Sequence, residues 1–465
     1  MGKKYDYDAV VIGGGPGGYV AAIHATQAGK NVAIVERDAL GGICLNWGCI
    51  PTKTLLHDAE VLHLVKNAGK YGIDIKDYSV DFGKVVKRSR TVAKRLSKGI
   101  EYLMKRSNIT HIKGLAKLRS ATNVEVKTAG GKKVIKAANV IIATGGRNRE
   151  IPGLETDEKK VISYREAMTL KKLPKKMIII GAGAIGVEFA TIYHEYGTEV
   201  HLVEMLPRIL PLEDVEVSDL LATSLKKRGI HIHVSTKVEK INVLKTKVKV
   251  HLSSGNKSEI QEADIALVAV GIQGNVENLG LETVGVNVER GWIVTDESQM
   301  TTAKGIYAIG DVSGPPLLAH VASAEGRIAA AHLCGNSFNP LDYDSIPACT
   351  YSRPQVASIG LTEEAAQSAG YELKIGRFPM RASGKAMAQD DTEGFVKIIF
   401  DAKYGELLGC HIIGPEATEL IAEVAVAKML EATYKEIVDT VHAHPTIAEA
   451  IMEAAADAYG EAVHV

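Results

Sequence analysis

The chemistry of this chain is concentrated in Cys44-Leu45-Asn46-Trp47-Gly48-Cys49-Ile50-Pro51, where two cysteines stand with four residues between them. Thiolate, not thiol, is the reactive form of cysteine, and a helix N-terminus stabilises it. The pair follows Gly41-Gly42 near the start of an expected helix, although Pro51 reads against a regular helix immediately around Cys49. A disulfide between such near neighbours closes a short loop, and strain in that loop favours a working redox couple over a structural staple. Zinc ligation fits the pair poorly, because no second Cys or His cluster with ligand spacing accompanies it.

A second group stands near the C-terminus, in His442-Ala443-His444-Pro445-Thr446-Ile447-Ala448-Glu449. Histidine is the natural general base for a thiol near neutral pH. Glu449 can orient an imidazole if the chain turns back through Pro445, and a His-Pro bond is a candidate for a cis peptide that would aim the ring. Alone, a His–Glu pair reads as ordinary packing. The company of Cys44 and Cys49 gives this one a chemical reading.

The elements that must position these groups occur twice. Tyr7 to Ile12 reads as a buried strand, followed by Gly13-Gly14-Gly15-Pro16-Gly17-Gly18, an alanine-rich helix, and a strand from Asn31 to Val35 that ends at Glu36. Met177 to Ile180 is followed by Gly181-Ala182-Gly183-Ala184-Ile185-Gly186, a helix, and Glu199–Val203 ending at Glu204. In both copies the acid lies 23 positions after the first glycine. Two βαβ units with one internal spacing imply two dinucleotide-binding domains. In the first, Gly13 permits the tight turn, Gly15 lets backbone approach a pyrophosphate, and Gly18 lets helix pack on strand. The pyrophosphate then meets free N–H groups and the positive end of a helix dipole. Glu36 can accept from ribose hydroxyls. Glu204 would likewise bond the 2′-hydroxyl of NAD and repel the 2′-phosphate of NADP, with Arg208 close enough to soften that preference. A dithiol beside a dinucleotide site points to electron exchange with a bound flavin, next to which Lys53 could place a positive charge.

Further strands are expected at Val140–Ile142, Ala263–Gly271 and Gly305–Asp311, with a helix near His320–His332. After Pro340 the texture changes. Gln355–Ile359, Glu372–Phe378, Phe395–Phe400 and Leu407–Ile413 read as strands, and Glu419–Ala432 and Ile447–Tyr459 as helices, giving an α+β unit of antiparallel strands backed by helices. The fold class is therefore α/β, two Rossmann-like domains plus a C-terminal α+β domain.

The bulk numbers exclude other classes. The 465 residues carry a formal net charge of zero, so nothing suggests a nucleic-acid or acidic-membrane partner. From Lys84 to Arg106 nine basic residues face the single acid Glu101, which reads as a solvated helix face or as a docking surface for an acidic partner. No apolar run of about 18 residues exists, so no membrane span is expected. The first strand begins at Tyr7, which leaves no room for a targeting peptide and leads to an expectation of cytoplasmic location. Five cysteines, Cys44, Cys49, Cys334, Cys349 and Cys410, are too few for a disulfide-stapled secreted domain.

These motifs together resemble the flavoprotein disulfide reductases, the class I pyridine nucleotide-disulfide oxidoreductases, over Tyr7 to about Tyr459. Gly41–Lys53, Ala143-Thr144-Gly145, Gly181–Glu188, Val203-Glu204-Met205, Gly310-Asp311, Leu318-Ala319-His320 and His442–Glu449 carry the resemblance. Leu45 and Glu204 separate the chain from glutathione-type members, and the lack of a cysteine after Cys410 separates it from mercuric-type ones. The branch it is most similar to oxidises dihydrolipoyl groups. The resemblance implies an FAD domain over 1–146, an NAD domain over 147–276, a central domain over 277–343 and an interface domain over 344–465, in a homodimer. It implies FAD contacts at Gly13, Gly15, Gly18, Glu36, Lys53, Ala116, Thr144, Asp311 and Ala319. It implies NAD contacts at Gly181, Gly183, Gly186, Glu204, Val238 and Gly271, and pairs Glu188 with Lys53. Ile43, Trp47 and Gly146 depart from the commonest family pattern, and none removes an atom the chemistry requires.

The reaction so implied is oxidation of a dihydrolipoyl group on a protein of a 2-oxoacid dehydrogenase or glycine-cleavage complex, with reduction of NAD. His444 of the other subunit would take the thiol proton, Glu449 would hold the ring, Cys44 would receive the substrate sulfur, and Cys49 would pass electrons to FAD. A reductase of low-molecular-weight disulfides using NADPH, and a flavin-binding adaptor without turnover, are the competing readings.

Overall fold

The computed structural model describes residues 4–464. Its first layer is a parallel sheet in the order Thr110–Lys113, Val32–Glu36, Tyr7–Ile12, Gly131–Ile142 and Ile306–Ala308. Residues Ala9, Val10 and Val11 are fully buried, as expected of a strand covered on both faces. The expected strand at Asn31 starts one residue later, and the one expected at Gly305–Asp311 is only Ile306–Ala308, because the chain then turns into a 3₁₀ turn over Gly310–Val312. The Gly131–Ile142 strand is longer than expected. Its first half leaves the parallel sheet and closes an antiparallel meander with Asn123–Thr128 and Leu115–Ser120.

The Pro16–Gln27 helix packs against Ala319–Leu333 through a glycine contact. A Cβ on Gly17 would stand 2.8 Å from the Ala322 carbonyl oxygen, and one on Gly326 would stand 2.7 Å from that of Gly17. This close crossing brings the starts of two helices to one edge of the first sheet.

The second copy repeats the plan. His231–His233, Glu199–Val203, Lys176–Ile180, Ile265–Val268 and Val161–Ile162 form a parallel sheet in that order. The strand expected over Ala263–Gly271 shortens to Ile265–Val268, since Ala263 ends a separate antiparallel meander of Lys237–Val243, Val248–Ser254 and Lys257–Ala263. Gly146–Asn148 and Ile272–Gly274 pair antiparallel where the chain leaves and re-enters the first unit.

The C-terminal part is a five-stranded antiparallel sheet in the order Ala348–Thr350, Gln355–Gly360, Leu407–Gly414, Phe395–Asp401 and Leu373–Pro379. Helices Ala417–Met429 and Glu449–Asp457 back it. The basic stretch lies on the Phe82–Arg106 helix, whose buried Ser89, Ala93, Ser97, Ile100 and Met104 form one face. All nine cations but Arg90 are exposed. No described helix is long and apolar enough to cross a membrane.

Candidate active site

The two cysteines lie on successive helices, not one. Gly41 and Gly42 both have positive φ, 94° and 57°, and turn the chain into the Gly42–Trp47 helix that carries Cys44. Gly48 breaks that helix, and Cys49 opens the next, Cys49–Lys66. The expectation that Pro51 opposes a helix around Cys49 is corrected. Pro51 occupies the first turn, where a missing N–H costs no intrahelical bond. Cys49 therefore stands at the positive end of an 18-residue helix.

The Cys44 thiol donates to Cys49. That hydrogen bond, with the Lys53 ammonium and against burial, holds Cys49 below the ordinary thiol range. The same bond and burial push Cys44 up, so Cys49 is the more acidic thiol of the two.

Lys53, one turn beyond Cys49, is held from the second unit. Its Nζ lies 2.8 and 3.0 Å from the two oxygens of Glu188, which is buried in the Ala184–Glu195 helix. Tyr351 donates its N–H to Glu188 over 3.1 Å and places its ring 4.3 Å from the ammonium. The cation is thus fixed by a carboxylate and an aromatic face. Trp47 lies between two guanidinium groups, with Arg90 4.7 Å and Arg165 5.1 Å from its ring, and Arg90 also donates to the Asn46 carbonyl. Gly146 answers to packing: a Cβ there would stand 2.4 Å from the Ile272 side chain.

The two glycine loops show which glycines serve the fold and which leave space. Cβ atoms on Gly13 and Gly18 would meet backbone oxygens at 2.1 and 2.0 Å, and on Gly181 and Gly186 at 2.3 and 1.9 Å. These four permit the turn and the helix–strand contact. A Cβ on Gly15 would meet nothing nearer than 3.9 Å, and one on Gly183 nothing within 4 Å. Both residues have ordinary φ of −72°, and both cap helices without a side-chain acceptor. Nothing in the protein requires glycine there. A backbone cradle of this shape, with free N–H groups at a helix start, suits a pyrophosphate.

Glu36 and Glu204 perform a matched task. Glu36 accepts from the N–H groups of Gly14 at 2.7 Å and Asp38 at 2.8 Å. Glu204 accepts from Ala182 at 2.8 Å and Leu206 at 2.9 Å. Each carboxylate therefore shapes its own glycine loop.

Asp311, in the 3₁₀ turn, is buried, and burial pushes its carboxyl up. Among the described residues only its own backbone N–H reaches it, which suits a hydroxyl-bearing ligand. Ala319 begins an uncapped helix nearby. Thr144 donates to the Asn275 carbonyl over 2.9 Å, and Asn275 returns a bond of 2.9 Å to the Thr144 carbonyl. Ala116 is buried opposite Val126, Val238 is buried opposite Leu252, and Gly271 has a φ of 109° with open space at its Cβ. The sequence reading missed Glu325, whose carboxylate accepts from Gly310 at 2.6 Å and Tyr343 at 2.8 Å and so fixes the turn beside Asp311. It also missed Asn275 and Tyr351. None of the three stands in a recurring motif.

The C-terminal dyad is preformed. The His444–Pro445 bond is cis, His444 Nδ1 lies 2.8 Å from Glu449 Oε1, and Thr446 donates to the other oxygen over 2.8 Å. Against partial burial, these two partners hold Glu449 below the usual carboxylate range. The His444 ring is 79% exposed, and among the described residues its Nε2 has no hydrogen-bond partner within the chain.

Comparison with known proteins adds the family. Residues 7–326 match the pyridine nucleotide-disulphide oxidoreductase model, and residues 346–455 match the dimerisation domain of the same family. A dihydrolipoyl dehydrogenase of Chlorobaculum tepidum is 49% identical over 454 residues, 97% of each chain. One of Zymomonas mobilis is 46% identical over 461 residues, covering 98% of this chain and 99% of its own. The crystal structure of LpdA from Mycobacterium tuberculosis superposes with a TM-score of 0.90 at 28% identity, covering 96% of this chain and 98% of its own. The glycine loops, the cysteine pair and these full-length matches agree, and the chain belongs to the pyridine nucleotide-disulphide oxidoreductase family.

Proposed function

We propose that this chain is the enzyme that oxidises protein-bound dihydrolipoyl groups with reduction of NAD. The observation that carries this is the hydrogen-bonded Cys44–Cys49 pair with Lys53 held beside it by Glu188. FAD, when bound, would supply the electron-pair transfer between the dithiol and NAD, and the protein supplies placement and electrostatics. The roles of FAD at Gly13, Gly15, Gly18, Glu36, Lys53, Ala116, Thr144, Asp311 and Ala319 are supported by the open cradle and the buried carboxylate. Those of NAD at Gly181, Gly183, Gly186, Glu204, Val238 and Gly271 are supported by the second cradle.

The residues act as follows. His444 Nε2 takes a proton from one substrate thiol while Glu449 orients the ring. The substrate sulfur attacks Cys44 Sγ, the Cys44–Cys49 bond breaks, and Cys49 leaves as a thiolate stabilised by the helix N-terminus and Lys53. The second substrate thiol attacks the mixed disulfide, which releases the oxidised lipoyl ring and returns Cys44 with a proton. The exposed, unpartnered Nε2 of His444 supports its service to the other subunit of a homodimer, which the dimerisation region provides for. We divide the chain into 1–146 for FAD, 147–276 for NAD, 277–343 completing the FAD site and 344–465 for the interface. The Gly146–Asn148 and Ile272–Gly274 pairing at the first two boundaries supports that division. The natural partner is a lipoyl-bearing protein of a dehydrogenase or glycine-cleavage complex, and a chain with only five cysteines suits the cytoplasm better than a disulfide-stapled secreted domain.

The test is NAD reduction by dihydrolipoamide with purified flavin-loaded protein, beside NADP and beside Cys44→Ser. Turnover with NAD that Cys44→Ser abolishes is expected. Preference for NADP, or a flavin that does not respond to dihydrolipoamide, would overturn the reading.

A further inference from the structure

The second unit gathers histidines that none of the chemistry above uses. Glu199 and His201 alternate along one strand, and His231 and His233 along the neighbouring edge strand. Residues two apart on a strand share a face. The parallel register sets His201 opposite His231 and Val203 opposite His233, so all four polar side chains fall on one face. It is the face on which Ile178, Ile180 and Val203 pack toward the second meander. The rings stack, with His201 4.4 Å from His231 and 5.3 Å from His233 between centroids.

Among the described residues, Glu199, His201 and His231 are the one group of three metal-ligating side chains whose donor atoms all lie within 4.8 Å of one another. His201 Nε2 is 2.9 Å from Glu199 Oε1, and His201 Nδ1 is 3.1 Å from His233 Nε2. The His201 residue is 7% exposed, whereas the Glu199 side chain is 51% exposed and leaves the group open to solvent on one side.

We propose that Glu199, His201 and His231 form a zinc site, with His233 positioning His201. Two imidazoles, one carboxylate and a solvent molecule are a donor set that suits zinc. Without metal, both contacts of His201 are satisfied when its Nε2–H donates to Glu199 and its Nδ1 accepts from the His233 Nε2–H. On ligation Nε2 becomes the donor to zinc, Nδ1 carries the proton, and the 3.1 Å bond to His233 reverses direction. Both rings change tautomer and neither loses a proton overall. A metal-ligating histidine whose second nitrogen is held in this way is the usual arrangement. Lys176 is the built-in competitor. Its Nζ lies 2.9 Å from the same Glu199 oxygen and must swing into solvent when zinc enters.

The experiment is calorimetric titration of flavin-loaded, oxidised protein with zinc chloride, the closed Cys44–Cys49 disulfide keeping the dithiol from binding. One zinc per chain is expected, with the same affinity in a Cys44→Ser, Cys49→Ser double variant. His201→Ala and His231→Ala should abolish it, His233→Ala should weaken it about 10–100-fold, and Lys176→Met should tighten it. Glu199→Gln, at an exposed position, separates loss of a ligand from loss of structure, and each variant's flavin spectrum and melting temperature are read beside the titration. Copper(II) in place of zinc should give nitrogen superhyperfine lines from two imidazoles. Absence of saturable binding, binding that survives His201→Ala and His231→Ala, or binding that vanishes only with the cysteines would overturn the proposal.

Discussion

The contrast between Gly183 and Gly186 gives the sharpest separation of fold from function. Gly186→Ala would put a methyl 1.9 Å from the Gly181 carbonyl oxygen, within the turn that joins strand to helix. Ordinary contact is longer by more than an ångström, so helix or loop must shift, and overpacking of this kind costs about 3 kcal/mol or more. Gly183→Ala meets nothing within 4 Å, at a φ of −72° that alanine accepts. Its cost to the fold is that of a poorer N-cap, about 1 kcal/mol or less. At about 2–4 °C per kcal/mol, the two variants should melt several degrees apart. On the proposed NAD-binding role of Gly183, the methyl would instead fill the place of a pyrophosphate, and KM for NAD should rise about tenfold, equivalent to about 1.4 kcal/mol. Thermal melts of flavin-loaded protein and NAD kinetics measure both. If Gly183→Ala melted as low as Gly186→Ala, or kept the parent KM for NAD, the division of glycine roles would be wrong.

Three other perturbations have defined outcomes. Glu188→Gln leaves the partly exposed Lys53 without its buried partner, and chemical denaturation should show a loss of about 2 kcal/mol. Glu213 is pushed up to about 7 by burial. Its folded form holds a proton that the unfolded form has released, so this contribution to stability is full below the unfolded value and falls as pH rises toward about 7. Glu213→Gln should flatten that part of the stability–pH curve, as followed by urea unfolding at several pH values. Finally, dimers mixing a Cys44→Ser subunit with a His444→Ala subunit should recover one intact site, about half of parent turnover per mixed dimer. Both homodimers should be nearly inactive, and no recovery on mixing would place His444 with its own chain's cysteines.

Local features were legible in the sequence because their physics is local. The twin strand–glycine–helix–acid units depend on residues within one βαβ turn, and the structure reproduces them with the carboxylates of Glu36 and Glu204 on equivalent backbone N–H groups. The helix break at Gly48 was not legible. Pro51 suggested irregularity, but a proline in the first turn is tolerated and the break belongs to Gly48. The Lys53–Glu188 pair spans 135 positions, and no spacing rule joins such residues, so it came only from resemblance. Glu325, Tyr351 and Asn275 act through single contacts set by tertiary packing, with no sequence signature. The histidine cluster depends on the register between two parallel strands, which the alternation in Glu199–Val203 and His231–His233 cannot set alone.

The most direct test of the central claim is a single turnover without NAD. Oxidised, flavin-loaded protein is mixed anaerobically with one equivalent of dihydrolipoamide per chain, quenched with an alkylating agent and mapped by mass spectrometry. The account expects labels to appear at Cys44 and Cys49 while Cys334, Cys349 and Cys410 are unchanged from the untreated sample, with no response in Cys44→Ser. Oxidation of dihydrolipoamide that leaves Cys44 and Cys49 unlabelled, or that persists in Cys44→Ser, would contradict it.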